Sequence, residues 1–236
     1  MRNTSIITTI LISLFLTAFA AAEEPNYALY GKALKANIRN GSVNYAGLKR
    51  SKDFKTFMTQ LHKFDRSKLR TTNEKKSFYI NLYNALTLEL VLKNYPLKSL
   101  KKISGNAWKK TVYRNGQKLT LDDIEHKILR PMGDYRIHFA INCASISCPE
   151  LRSEPYTAAK LQRQLAAQMK LFLADKSKGV DVGADGTARV SKIFSWFKKD
   201  FGGSAGVLRI FQKRHSAGTK IKRLKYKSYN WNLNGR

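Results

Sequence analysis

The sequence predicts an α+β fold: a single domain with helices packed on a small, mostly antiparallel sheet. Three observations lead there. Apolar residues recur at helical spacing in several separate stretches, the longest over Thr72 to Asn94. Asn115-Gly116, flanked by the short extended segments Trp108 to Val112 and Lys118 to Thr120, is a hairpin signal, and Asp185-Gly186 marks another turn. The chain has no repeat, low-complexity tract or clear linker, and its helical patterns outnumber its strands.

Taken in order, Tyr27 to Ile38 predicts a first helix, with Leu29, Tyr30, Ala33, Leu34 and Ile38 apolar. Asn40-Gly41 is a turn, and Val43 to Tyr45 a short extended piece. Phe54 to Leu61 is a second helix, and Ser67 to Thr72 a polar loop. Thr72-Asn73-Glu74 caps the long helix, which Tyr95-Pro96 stops. Phe78, Leu82, Ala85, Leu86 and Leu90 form its core stripe.

Asn81 and Asn84 are three apart on that helix and share a face. Asparagine is a poor interior helix residue, so both amides are expected to be buried with defined partners. Two roles are open to them: holding nearby backbone, or binding a substrate carbonyl.

Thr120 caps a further helix whose start carries Asp122 and Asp123, suited to its positive end. Glu125 and His126 lie inside it, and Arg130-Pro131 ends it. Arg136 to Ile141 reads as a strand with Ile137, Phe139 and Ile141 on one face. Thr157 to Ala174 is helical, Ser191 to Phe201 is helical and mostly core, and Gly202-Gly203 ends that segment. Val207 to Arg214 is a last helix, and Ile221 to Leu233 an extended tail.

The first 22 residues read as a signal peptide: Arg2, an apolar run from Ile6 to Phe19, and small residues around Ala20 to Ala22. The domain then spans 23–236. The run is short for a bilayer span, and nothing later is long and apolar enough to make one. An exported protein, periplasmic or extracellular, is expected. The chain carries 44 Lys and Arg against 16 Asp and Glu, a formal charge of +28. Such a charge draws polyanions without specificity. An anionic envelope surface is the expected partner. Nucleic acid is not expected, because no nucleic-acid-binding motif accompanies the charge.

Both cysteines, Cys143 and Cys148, follow the strand pattern in a loop of small residues, a common setting for site chemistry. In an oxidising compartment they pair as a disulfide if the loop turns back, or one serves as a reactive thiol. A nucleophilic cysteine needs a base within reach and a group to orient that base. Cys143, His138 and Glu125 are the first candidates. On a straight strand His138 and Cys143 would lie roughly 16 Å apart, so they meet only if the loop curls back. His126 is an alternate base. Cys148 is an alternate nucleophile, since Pro149 after it could open a helix whose N-terminus favours a thiolate. Ser145, Asn81 and Asn84 are candidates to bind substrate. The Cys and His spacing fits no zinc pattern, and no phosphate loop or dinucleotide fingerprint is present, so neither metal nor cofactor is expected.

Several stretches resemble the DUF547 family, in that family's order. They are Val43-Asn44-Tyr45, Phe78 to Ala85, Leu121 to Arg130, His138 to Ser145 with Cys148-Pro149, and Ile193 to Phe197 with Asp200-Phe201. Tyr79 stands where the family pattern has tryptophan. Together they span about residues 27 to 234. The resemblance implies a papain- or transglutaminase-like arrangement of Cys, His and an acidic group. It also implies a thiol-peptide ligand such as glutathione. Two functions follow as expectations. One is a cysteine-dependent hydrolase or acyltransferase acting on a small peptide-like substrate. The other is a non-catalytic domain that holds a thiol peptide or an anionic envelope component.

Overall fold

The computed structural model describes residues 24–103, 106–110, 113–115, 117–214 and 221–236. The expected signal peptide, 1–22, and Gly116 of the expected hairpin turn lie outside them. The fold is mixed helix and sheet in one domain. α1 (Tyr27–Asn37) leads into a two-stranded hairpin of β1 (Ile38–Arg39) and β2 (Ser42–Val43). Asn40 and Gly41 both take positive φ, 47° and 74°, as the tight turn between them requires. Asn44 then caps α2 (Tyr45–Arg50), and Ser51 caps α3 (Lys52–Lys63).

α4 (Thr72–Asn94) is the central helix. Thr71 caps it, one residue earlier than expected, in a capping box with Glu74. Such a cap contributes about 1 kcal/mol. Phe78, Ile80, Leu82, Ala85, Leu86 and Val91 are buried, so the helix is covered on nearly every side. Full burial of one such large side chain is worth roughly 1.5–3 kcal/mol. After it come α5 (Ala107–Lys110), the pair β3 (Tyr113–Asn115) and β4 (Gln117–Leu119), then α6 (Leu161–Ala174). β5 (Val180–Val182), β6 (Thr187–Val190), α7 (Ile193–Trp196), α8 (Gly203–Arg214) and β7 (Arg223–Tyr226) complete the chain. β5 pairs antiparallel with β6, and β6 pairs parallel with β7. The hairpins are antiparallel, so antiparallel pairing dominates.

Six local expectations change. Trp108 to Lys110, expected to be extended, lie in α5, and of the helix expected over Ser191 to Phe201 only Ile193–Trp196 is α-helical, the rest continuing in turns. Residues 136–141 form no strand. Tyr135–Phe139 is a 3-10 turn, opened by the Asp134 carboxylate accepting the Arg136 N–H. Its alternating pattern misleads because His138, between Ile137 and Phe139, is buried as well. The helix after Thr120 begins as expected, with Thr120 and Asp123 exchanging hydrogen bonds. It then widens into a π-helical turn over Asp123–Leu129. The helix expected from Thr157 starts at Leu161, because the Gln164 side chain accepts the Thr157 N–H and holds the first residues in turns. Cys148-Pro149 therefore opens no helix, and the expected helix-terminal thiolate has no structural basis.

Two apolar clusters make the core. One surrounds α4; the other gathers Phe139, Phe172, Phe194, Phe201 and Phe211. Residues 137–141 bridge them: Ile137, Ala140 and Ile141 join the first and Phe139 the second. The candidate site lies along this seam.

Candidate active site

Six buried hydrogen bonds from three asparagines build the frame behind the site. Asn84 donates to the Ala140 carbonyl at 3.0 Å and accepts the Asn142 N–H at 2.8 Å. It thereby pins the end of the 3-10 turn to α4. Asn81 makes the same two-way clamp on Tyr156, at 2.7 and 2.9 Å. Both amides are committed to backbone, the position-holding role of the two considered. Neither lines the cleft. Asn142 continues the frame, donating to the Pro149 carbonyl at 2.6 Å and accepting the Ala144 N–H at 2.8 Å. Ala144 sits at φ 65°, in the left-handed region. That conformation costs a non-glycine residue roughly 1–2 kcal/mol, and it turns the chain sharply just after Cys143.

The C-terminal tail closes the frame from the other side. Ile146 N–H donates to Asn232 O at 2.8 Å, and Asn234 N–H to Ala144 O at 2.9 Å. Leu100 N–H donates to Trp231 O at 3.0 Å. The tail therefore runs between the thiol loop and the Leu100 segment and delivers Tyr229 to the sulfur.

Cys143 and Cys148 are free thiols, so the expected disulfide is not formed. Cys148 is buried and Cys143 half-buried. The Cys143 N–H donates to Cys148 Sγ at 2.9 Å. Cys143 Sγ lies 3.1 Å from Ser145 Oγ and 3.3 Å from Tyr229 Oη, and the two hydroxyls are 3.1 Å apart. Hydrogen bonding from Cys148, and then from these hydroxyls, brings the Cys143 thiol down to about 6. Burial pushes Cys148 up. Cys143 is thus the thiolate of the pair. Burial beside the thiols also pushes the Tyr229 phenol up, which keeps it a donor.

His138 is 2 % exposed. Its Nε2 is 2.8 Å from Asp200 Oδ2, and its ring stacks on Phe197 with centroids 4.0 Å apart. Asp200 is gripped bidentately by Arg130, at 2.6 and 2.8 Å. These partners hold its carboxyl near 2, so it is ionised and can only accept. Nε2 must then carry the proton, which leaves the lone pair on Nδ1. That buried Nδ1 has no hydrogen-bond partner among the described residues. Burial lowers His138 to about 4 despite Asp200, so the imidazole is neutral at pH 7.

Asp200, and not Glu125, therefore orients His138. The Glu125 carboxylate accepts from Tyr83 Oη at 3.1 Å, and burial raises it to about 7. His126 Nδ1 is 2.8 Å from Arg130 Nη1, and its Nε2 faces Asp122 at 3.6 Å. The alternate base is thus tied to the same arginine. Glu125, His126, His138, Cys143 and Cys148 all line one cleft of about 500 Å³. Within it the thiol bonds the Ser145 and Tyr229 hydroxyls, not an imidazole. Such contacts often tighten only once substrate is bound. Ser145 reaches the site only through its bond to the sulfur.

Residues 67–173 match the model of a family described as Protein of unknown function, DUF547. This stretch belongs to the DUF547 family. No curated protein and no solved structure matches the chain. The DUF547 match is narrower than the span over which motifs were read. It contains Asn81, Asn84, Glu125, His126, Arg130, His138, Cys143, Ser145 and Cys148. Asp200 and Tyr229 lie beyond it, yet one orients the histidine and the other touches the sulfur. Sequence reasoning quoted Asp200 within a motif but gave it no role. It passed over Tyr229, whose part depends wholly on the path of the tail.

No helix among the described residues is long and apolar enough to cross a membrane. Among the same residues, no group of three or more His, Cys, Asp or Glu side chains is placed to hold a metal.

Proposed function

We propose that this DUF547 protein is an exported cysteine-dependent acyl-transfer enzyme, a hydrolase or acyltransferase acting on a peptide-like amide. What carries the reading is one juxtaposition. A half-buried thiol brought down to about 6 shares a cleft with a histidine whose Nε2 is anchored by Asp200 and whose Nδ1 has no partner among the described residues. The Cys143 thiolate adds to the substrate carbonyl, and as the carbon–nitrogen bond breaks the leaving amine takes a proton from solvent, since neutral His138 carries none at Nδ1. Water or a second amine then displaces the thioester, with Nδ1 of His138 accepting its proton. The Tyr229 hydroxyl, which accepts from Ser145 and donates to the sulfur, steadies its charge before attack.

The test is the rate of iodoacetamide alkylation against pH. Alkylation of Cys143 at pH 7 well above that of a free thiol supports the reading; a rate no faster than a free thiol ends it. The non-catalytic reading, a pocket for a thiol peptide or an anionic envelope component, draws support from Lys101 on the cleft wall and from the basic surface. Under that reading a thiol peptide binds unchanged and is recovered intact.

A further inference from the structure

The chain has three tryptophans, and all three, Trp108, Trp196 and Trp231, line the cleft that holds Cys143. None belongs to the buried core. Tryptophan is ordinarily well buried, so one exposed and two half-buried tryptophans around a single cleft need a reason. Trp196 is 47 % exposed. Its ring centroid lies 4.7 Å from Tyr229 and 5.9 Å from Trp231, and Tyr229 and Trp231 are 4.6 Å apart. The three rings pack into one tilted aromatic platform, with interplanar angles of 52°, 30° and 52°, whose exposed ring is Trp196. Tyr229 belongs both to this platform and to the sulfur, through its hydroxyl at 3.3 Å from Cys143 Sγ. Whatever stacks on the platform is therefore held next to the thiol.

From this we infer that the platform is a specificity subsite for an aromatic side chain on the substrate residue adjoining the reacting carbonyl. The inference rests on Cys143 being the nucleophile. Ring-on-ring contact adds to apolar burial, so an aromatic group gains more here than an alkyl group. A sugar fits the surroundings less well. A sugar site needs polar groups beside the rings free to bond its hydroxyls, whereas the Tyr229 hydroxyl within the platform is engaged by Ser145 and Cys143, and Glu125 by Tyr83, leaving Lys101 and Asp122 on the cleft wall.

Because every tryptophan faces the cleft, intrinsic fluorescence reports its occupancy. The full chain carrying Cys143→Ala, which removes covalent capture, is titrated with N-acetylphenylalanine amide, N-acetylalanine amide and chitotriose. The expected result is saturable binding of the phenylalanine probe at least tenfold tighter than the alanine probe, with chitotriose weaker than either. Adding Trp196→Ala brings the two amides within about twofold, and Trp196→Phe restores most of the preference with the fold unchanged by circular dichroism. Equal affinity for the two amides, tightest binding by chitotriose, or a preference that survives Trp196→Ala overturns the subsite. Failure here is separable from failure of the nucleophile: alkylation of unsubstituted Cys143 needs no probe. A phenylalanine preference beside an unreactive thiol would leave an aromatic-binding site but overturn its role as a substrate subsite.

Discussion

Nε2 of His138 lies 2.8 Å from Oδ2 of Asp200, a residue 62 positions further along the chain. This contact fixes the tautomer and leaves Nδ1 as the basic atom. Asp200→Asn offers an amide in place of an acceptor-only carboxylate, and it weakens the bidentate grip of Arg130. Acyl transfer by the Asn variant is expected to fall 10²-fold or more, as for other wrongly oriented histidines. Stability is expected to drop by about 1–3 kcal/mol. Parallel turnover assays and urea melts check both.

Cys143 should alkylate with an inflection near pH 6, set by its hydrogen bonds. Tyr229→Phe removes one hydroxyl donor from the sulfur, so the inflection should move upward by up to about one unit. Buried Cys148 should remain unlabelled in the native state. Peptide mapping after timed iodoacetamide exposure separates the two thiols.

Glu125 predicts an unusual pH dependence. Its folded value, about 7, lies above its ordinary value of 4.5, so the fold favours the protonated form. That contribution is fully present below pH 4.5 and is lost as pH rises through 7. Glu125→Gln removes the penalty, and the variant should gain on the order of 1–3 kcal/mol over the unsubstituted chain at pH 8, with little difference at pH 4. Chemical denaturation at the two pH values is the check; an equal gain at both would remove the titration from the explanation.

Asn84→Ala strands the Ala140 carbonyl and the Asn142 N–H, both buried. The expected cost is about 2–4 kcal/mol. Because those atoms hold the turn before Cys143, alkylation of the thiol should also lose its low-pH rate. A thermal melt together with the alkylation profile tests both halves.

Much of the frame was legible from residue types. The α4 span, its stop at Tyr95-Pro96 and the Asn40-Gly41 turn follow from local chemistry that tertiary contacts did not overrule. The burial of Asn81 and Asn84 was equally readable, since their helix is apolar almost all round. The strand expected at Ile137 was not there, because a segment buried on both sides carries no reliable period.

The sequence by itself determined the first and the central helix, that Cys143 sits in a loop of small residues, and that the domain mixes helix with small sheets. Tertiary structure alone decided the company of the sulfur and of the imidazole. Asp200 and Tyr229 reach the seam between the two apolar clusters through α7, the turns after it and the returning tail. Hydrogen bonds that span 62 and 86 positions leave no local pattern in the chain. Only packing brings such residues together, so only the folded chain shows which carboxylate orients the histidine.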